Sequence, residues 1–174
     1  MSKKVLSGSL IYWIAGVVIL LDQYLKFVVR SNLAIGESWE PAAGFGPYFR
    51  LLHIENNGAA FGMFQQGGLI FTLIAVVVSA VILYYSLRLP EGQWALRVAL
   101  GLQLGGALGN LIDRLLRGPV TDFFNLLSVI NTPIFNVADL SITTGVIVLL
   151  LLMWRDSRHK AAAPAEPVDA SKAS

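Results

Sequence analysis

Four stretches of this chain are long and apolar enough to cross a bilayer, a length of about 20 residues each. They cover about 10–29, 69–89, 94–116 and 137–154. Backbone inside hydrocarbon must satisfy its own hydrogen bonds, so such stretches commit the chain to helices packed side by side. Charge agrees with this. Only 14% of the 174 residues are charged, against about 25% for a soluble domain, too few to coat a globule. The expected fold class is an all-α membrane protein: four transmembrane helices with a small β-containing extracytoplasmic element. An ordinary soluble enzyme is excluded.

Other function classes fall away with it. The absence of cysteine excludes a disulfide framework, a thiol nucleophile and a thiolate metal site. His53 and His159 are the only histidines and form no H-E-x-x-H pair, so no metal site and no cofactor are expected. The net charge of +2 comes from scattered Lys and Arg and not from a patch, so nucleic acid is not an expected partner.

The first span follows Lys3 and Lys4, as a signal peptide would. Asp22, Gln23 and Lys26 interrupt the apolar run and no A-x-A site follows it, which reads as an uncleaved first span. With both termini cytoplasmic, the inner side carries Lys3, Lys4, Arg88, Arg97, Arg155, Arg158, Lys160 and Lys172, and the outer side only Arg30, Arg50, Arg114 and Arg117. The positive-inside rule favours that orientation, and Trp13, Trp94 and Trp154 fall near the inner boundary.

Residues 1–155 therefore form one membrane domain. The outer loop, 31–68, contains a strand-like run at Tyr48–Ile54, bounded by Gly44, Gly46 and Pro47 before it and Asn56-Asn57-Gly58 after it. This predicts a small β element resting on the outer leaflet. The Ala-, Pro- and Ser-rich segment 156–174 is expected to be a disordered cytoplasmic tail. No internal repeat of the kind that marks many transporters is visible.

The depth of the polar residues is more telling than their number. At 1.5 Å per residue, Asp22 lies roughly 18 Å along the first span from Leu10, and Asn110 and Asp113 roughly 20–24 Å along the third from Arg97. Counted back from Trp154, Asp139 lies roughly 22 Å along the fourth. All four share one level near the outer face, and ionisable groups at membrane depth are functional by default.

Each has a structural reading beside the functional one. Asp22 and Lys26, spaced i, i+4, can pair and staple the bundle. Asp113 sits near a helix C-terminus, where an Arg such as Arg114 or Arg117 would stabilise it. Asn110 and Asn136 can cap helices or bond between them, and flanking helical residues favour the second role for Asn110. Gly101, Gly105, Gly106, Ala107 and Gly109 permit close helix approach.

Asp122 and Asp139 differ. Asp122 follows the Gly118-Pro119 break with apolar flanks, where desolvation raises a carboxyl pKa. Asp139 stands in the first turn of the fourth span, where the helix dipole favours the charged form. Either alone could be a cap or a turn-forming residue. Together they would offer one acid and one carboxylate, the pair by which aspartic proteases activate water and protonate a leaving amine.

In sequence order the motifs are Asp22-Gln23 with Lys26, Asn56-Asn57-Gly58-Ala59-Ala60-Phe61, Gly105 to Arg114, Val120-Thr121-Asp122-Phe123, and Phe135-Asn136-Val137-Ala138-Asp139. With these five, the chain resembles the bacterial lipoprotein signal peptidases, or signal peptidase II, over nearly its whole length to about Arg155. The resemblance implies a membrane aspartic endopeptidase that removes the signal peptide from prolipoproteins, cutting before a cysteine that already carries diacylglycerol. It implies Asp122 and Asp139 as the catalytic dyad, although spacing and environment alone leave Asp113 open as a member. It further implies that Asp22, Lys26, Asn56, Asn110, Arg114 and Asn136 support the site or hold substrate, with Asp113 grouped among them.

Thr121 stands where the family more often has a second valine, and Asn57 where it often has threonine; neither change removes a titratable group. Expected partners are prolipoprotein substrates and membrane lipids, for a monomer in the bacterial inner membrane with its active site near the outer face. The competing readings are a cation-coupled transporter, a noncatalytic scaffold, and a Ser–Lys protease built on Lys26 and Ser141.

Overall fold

The computed structural model describes residues 3–58, 64, 66–126, 130 and 132–162. Helix α1 spans Lys3–Asn32, α2 Gly68–Ser86, α3 Trp94–Leu116 and α4 Val137–Ala162. All four contain segments of membrane-spanning length and hydropathy. Strands β1 (Ser38–Trp39), β2 (Phe49–Asn56) and β3 (Val120–Leu126) form one antiparallel sheet in that order. The strand expected within residues 31–68 is therefore present as β2. Its partner β3 is a second, unexpected strand, supplied from beyond α2 and α3.

The strand β3 escapes a search for alternation because both of its faces are covered. Val120 through Phe123 are all buried, and a strand buried on both sides shows no period of two. Phe123 packs with Val29 of α1 and Val137 of α4. The turn into β3 is short. The Arg117 N–H bonds the Asp113 carbonyl at 2.7 Å and Gly118 takes φ of +90°, a left-handed stop suited to glycine.

Helix α3 is the centre of the bundle. Of its most apolar window 56% is buried, against 17% for α2. The small residues expected to allow close approach act within the chain. A Cβ on Gly105 would lie 2.6 Å from Cβ of Val18 on α1, and one on Gly101 would lie 2.9 Å from Cβ of Ile14. Gly106 faces the other way, against the Ala138 carbonyl of α4. The opposite end of the bundle from β3 is closed by Ile11, Ala15, Ile82 and Leu104.

One boundary is corrected. Segment 156–162 continues helix α4 where a disordered tail was expected from 156. Arg155, Asp156, Ser157 and Arg158 contain no breaker, the Ser157 hydroxyl bonds the Met153 carbonyl at 2.9 Å, and Arg158 lies over the Trp154 ring. Segment 163–174 lies outside the described residues, as do Ala59, Ala60 and Phe61 of the second motif.

Glycine packing makes a direct test. Gly106→Ala would drive a methyl into the Ala138 carbonyl and should cost about 1–3 kcal/mol or more, read as a lower melting temperature in detergent. Gly16→Ala, where nothing lies within 4 Å of the added Cβ, should melt at the same temperature or slightly higher.

Candidate active site

Toward the C-terminal ends of α1 and α3, Lys26 is buried between two carboxylates. Its Nζ lies 2.8 Å from Asp22 on the same helix and 2.9 Å from Asp113 of α3. Its third bond, at 2.9 Å, goes to the Asn110 side-chain oxygen. Neither carboxylate rests on Lys26 alone. Asp22 also accepts the Ala138 N–H at 3.0 Å, at the start of α4. Asp113 also accepts the Thr121 N–H of β3 at 3.3 Å and faces Arg30 at 3.7 Å. Two negative and two positive side chains therefore balance in a nearly dry setting.

The i, i+4 pairing of Asp22 with Lys26 is as the spacing predicts. The expected partner of Asp113 is not. Its cations are Lys26 and Arg30 of α1, because Arg117 lies beyond the end of α3 and Arg114 turns to the cavity described below. The Arg30 guanidinium also donates to the Thr121 hydroxyl at 3.0 Å.

Asn110 and Asn136 carry this network outward. The Asn110 amide donates to Asp139 at 2.8 Å, while its oxygen accepts from Lys26 and, at 3.1 Å, from Asn136. Asn136 begins α4 with a reciprocal cap. Its side-chain oxygen accepts the Asp139 N–H at 3.0 Å, and its own N–H donates back to the Asp139 carboxylate at 3.1 Å. This is the geometry of a capping box, with Asn and Asp in the two roles. The structural and functional readings of these residues thus coincide: the cap holds the candidate carboxylate in place.

Asp122 reaches the same point from β3. Backbone bonds tie Phe135 to Phe124 in both directions, at 2.8 and 3.1 Å. That tie sets the next residue, Asn136, against Asp122 with a side-chain bond of 2.6 Å. Its other oxygen accepts from Asn56 of β2 at 2.9 Å. In the register Ile54 faces Asp122 and Asn56 faces Val120, so Asn56 is the diagonal neighbour that can reach across.

The Asp122 carboxyl is pushed up to about 7, first by burial and second by the nearby Asp139 charge; the Asn56 and Asn136 bonds and the Lys26 charge pull the other way. A carboxyl raised that far can hold a proton near neutral pH.

Both carboxylates open onto a cavity of about 610 Å³, with α3 as its floor and α2 and α4 as its walls. Arg114 also lines it, near the Phe71 ring and within electrostatic range of both Asp139 and Asp122. All nine residues singled out from the sequence thus fall in one connected cluster. Ser141 does not join Lys26: its hydroxyl bonds the Val137 carbonyl at 2.8 Å, and the three Lys26 acceptors lie elsewhere.

Three contributors had no assigned role in the sequence reading: Gln23, Arg30 and Thr121. Gln23 donates to the Gly109 carbonyl at 3.0 Å and to Asp22 at 3.1 Å. Its signal in the sequence was the break it makes, beside Asp22, in the apolar run of the first span. Arg30 gave none, since its partners come from α3 and β3.

Comparison with known proteins gives a consistent result. Residues 14–155 match the family model described as signal peptidase (SPase) II. The chain is 41% identical over 152 residues to the lipoprotein signal peptidase of Bacillus subtilis (strain 168), covering 87% of this chain and 97% of the relative. It is 34% identical over 161 residues to that of Staphylococcus aureus (strain JH9), covering 92% and 96%. Among solved structures, a bacterial membrane enzyme determined by the in meso method at 2.3 Å resolution aligns with TM-score 0.79 at 30% identity, over 90% of this chain and 94% of that one.

Removing the central cation should be costly. Lys26→Met leaves Asp22 and Asp113 facing one another without their shared partner, and loss of one member of a buried ion cluster costs about 3–5 kcal/mol. A markedly lower melting temperature, or loss of folded protein from detergent extracts, is the expected outcome.

Proposed function

The chain belongs to the signal peptidase II family, and from that premise we propose that Asp122 and Asp139 are the catalytic dyad with which it removes signal peptides from prolipoproteins. It is a membrane-embedded bacterial peptidase. The observation that carries the dyad reading is the convergence of two carboxylates, from β3 and α4, on one cavity. Each is held by asparagine amides. Asp113 is the weaker candidate: it is 1% exposed and engaged by Lys26, Arg30, Gln23 and the Thr121 N–H, and it does not line the cavity.

The chemistry follows from a dyad that shares one proton. The ionised carboxylate takes a proton from a water that attacks the scissile carbonyl carbon. The protonated partner hydrogen-bonds the carbonyl oxygen and supports the negative charge that develops there. Collapse of the tetrahedral species needs a proton on the leaving amine, which the carboxyl that accepted the water proton returns. The dyad titrates as a pair, so the roles belong to the pair. Asn110, Asn56 and Asn136 orient the two carboxyls, and the Asp22–Lys26–Asp113 cluster fixes Asn110. Arg114 is proposed to act on substrate from the cavity wall.

Cleavage before a diacylglyceryl-cysteine places the scissile bond near the outer membrane surface, where the lipid anchors it. The polar residues gather at that end of the spans in the orientation with both termini cytoplasmic, supported by the Lys and Arg distribution. A monomer is proposed, in keeping with an α3 glycine surface occupied by α1 and α4 of the same chain. Residues 1–155 act as one membrane domain.

Two tests follow. With a diacylglyceryl-modified prolipoprotein in detergent, Asp122→Asn and Asp139→Asn should each lose at least about 100-fold in kcat while melting near the wild-type temperature. Retained cleavage by either would remove it from the dyad.

The pH dependence has a defined sign. Burial and the Asp139 charge push the Asp122 carboxyl up to about 7, so the pair loses its shared proton as pH rises through that region. Activity should therefore fall on the alkaline side of about pH 7, measured as kcat/KM against pH. Asn56→Leu deletes a bond that favours the ionised form, so it should move that limb to higher pH.

A further inference from the structure

Below the dyad the cavity continues toward the cytoplasmic side. Its floor is a single stripe of α3, formed by Gln103, Ala107, Asn110 and Arg114, at the four, three and four residue spacing of one helix face. Gln103 lies seven residues, about 10 Å, inward of Asn110. The walls include Val78 of α2 and Ile142 of α4. The Gln103 stem is set against Gly145 of α4, where an added Cβ would lie 2.7 Å from the Gln103 Cγ. Its amide nitrogen is buried and has no hydrogen-bond partner among the described residues. No part of the dyad chemistry uses it. An unsatisfied buried donor costs the protein stability, and a polar group brought into the cavity by a ligand would remove that cost.

The substrate supplies a matching deficit. A signal peptide crosses the bilayer as an apolar helix whose backbone groups bond one another. Access of the dyad to one peptide bond requires the helix to unwind there. The carbonyl and N–H groups of the opened turn then need new partners in a low-dielectric cleft. A primary amide carries both a donor and an acceptor, and a half-turn about its last side-chain bond presents either one.

We propose that Gln103 is a substrate-positioning residue whose side-chain amide pairs with a peptide group freed where the bound signal peptide unwinds, on the N-terminal side of the scissile bond. The inference rests on the peptidase reading above and on an outward-facing dyad. A separation of about 10 Å is about three residues of extended chain or seven of helix. The paired peptide group therefore belongs to a residue about three to seven positions before the cleavage site.

The test uses the full-length protein in detergent with a synthetic diacylglyceryl-modified prolipoprotein peptide. Wild type and Gln103→Leu are compared in thermal melting without substrate and in steady-state cleavage. A set of peptides then carries one backbone ester in place of an amide at each of the positions in question. Gln103→Leu is expected to melt at the wild-type temperature or above it, with KM raised about two- to tenfold and kcat altered less than about twofold.

One ester position should raise KM in wild type and not in the variant. An unchanged KM for Gln103→Leu overturns the proposal, as do ester effects that are the same in both proteins at every position. Should Gln103→Leu not fold, Gln103→Met takes its place with the same expectations. If wild type does not cut the all-amide peptide, the peptidase reading itself fails and this inference with it; if wild type cuts and KM does not respond, only the inference fails.

Discussion

The end of the bundle that holds the polar cluster is organised around one buried ammonium group. Lys26 has three N–H donors, and each has an acceptor at 2.8 or 2.9 Å, in Asp22, Asp113 and Asn110. The two carboxylates extend its reach. Asp22 holds the first turn of α4 through Ala138, and Asp113 holds β3 through the Thr121 N–H. Four elements that are distant in sequence are thereby fixed at one level. Isolated, such a charge would be intolerable at membrane depth. With Asp22, Asp113 and Arg30 around it, the cluster is nearly neutral and its geometry is over-determined.

The proposed dyad, Asp122 and Asp139, is held by asparagines that have few free bonding positions left to rearrange. Asn136 donates to Asp122 and Asn110 through its amide, accepts the Asp139 N–H through its oxygen, and returns its own N–H to the Asp139 carboxylate. The start of α4 and the alignment of the two carboxyls are thus one event. The tie between Phe124 and Phe135 completes it by fixing where the chain enters α4. Preorganisation here comes from ordinary capping and strand bonds, and no unusual backbone conformation is needed at Asp122 or Asp139.

Much of this was legible in the sequence because the membrane makes charge conspicuous. Asp22, Asn110, Asp113 and Asp139 stood out at a common depth along helices whose rise is fixed, and that was enough to gather them. The i, i+4 spacing predicted the Asp22–Lys26 pair. The strand β3 was hidden, since burial on both faces erased its alternation, and with it the route by which Asn56 reaches Asp122. The cations of Asp113 were misassigned for a related reason. Neighbours in sequence suggested Arg114 and Arg117, while the partners actually come from α1, and which face of α3 turns toward α1 depends on the glycine contacts at Gly101 and Gly105.

The placement of α2 explains how a site so tightly bonded can still admit a long apolar substrate. This helix buries only Ala75, Ser79, Ile82 and Ser86, packing on α3 and leaving most of its surface exposed. The cavity lies between it and α4, so the least anchored helix forms one wall. The rigid, charge-bonded face of α3 meets α1 and α4, and the face lined by Gln103, Ala107, Asn110 and Arg114 is turned to the cleft. The polar lining is concentrated at the end that holds Asp122 and Asp139, and the walls beyond it are largely apolar. That order matches a substrate whose apolar segment lies in the bilayer and whose reacting peptide bond lies at its edge. A substrate entering sideways from the hydrocarbon would displace lipid from α2 without breaking a single bond of the Lys26 cluster.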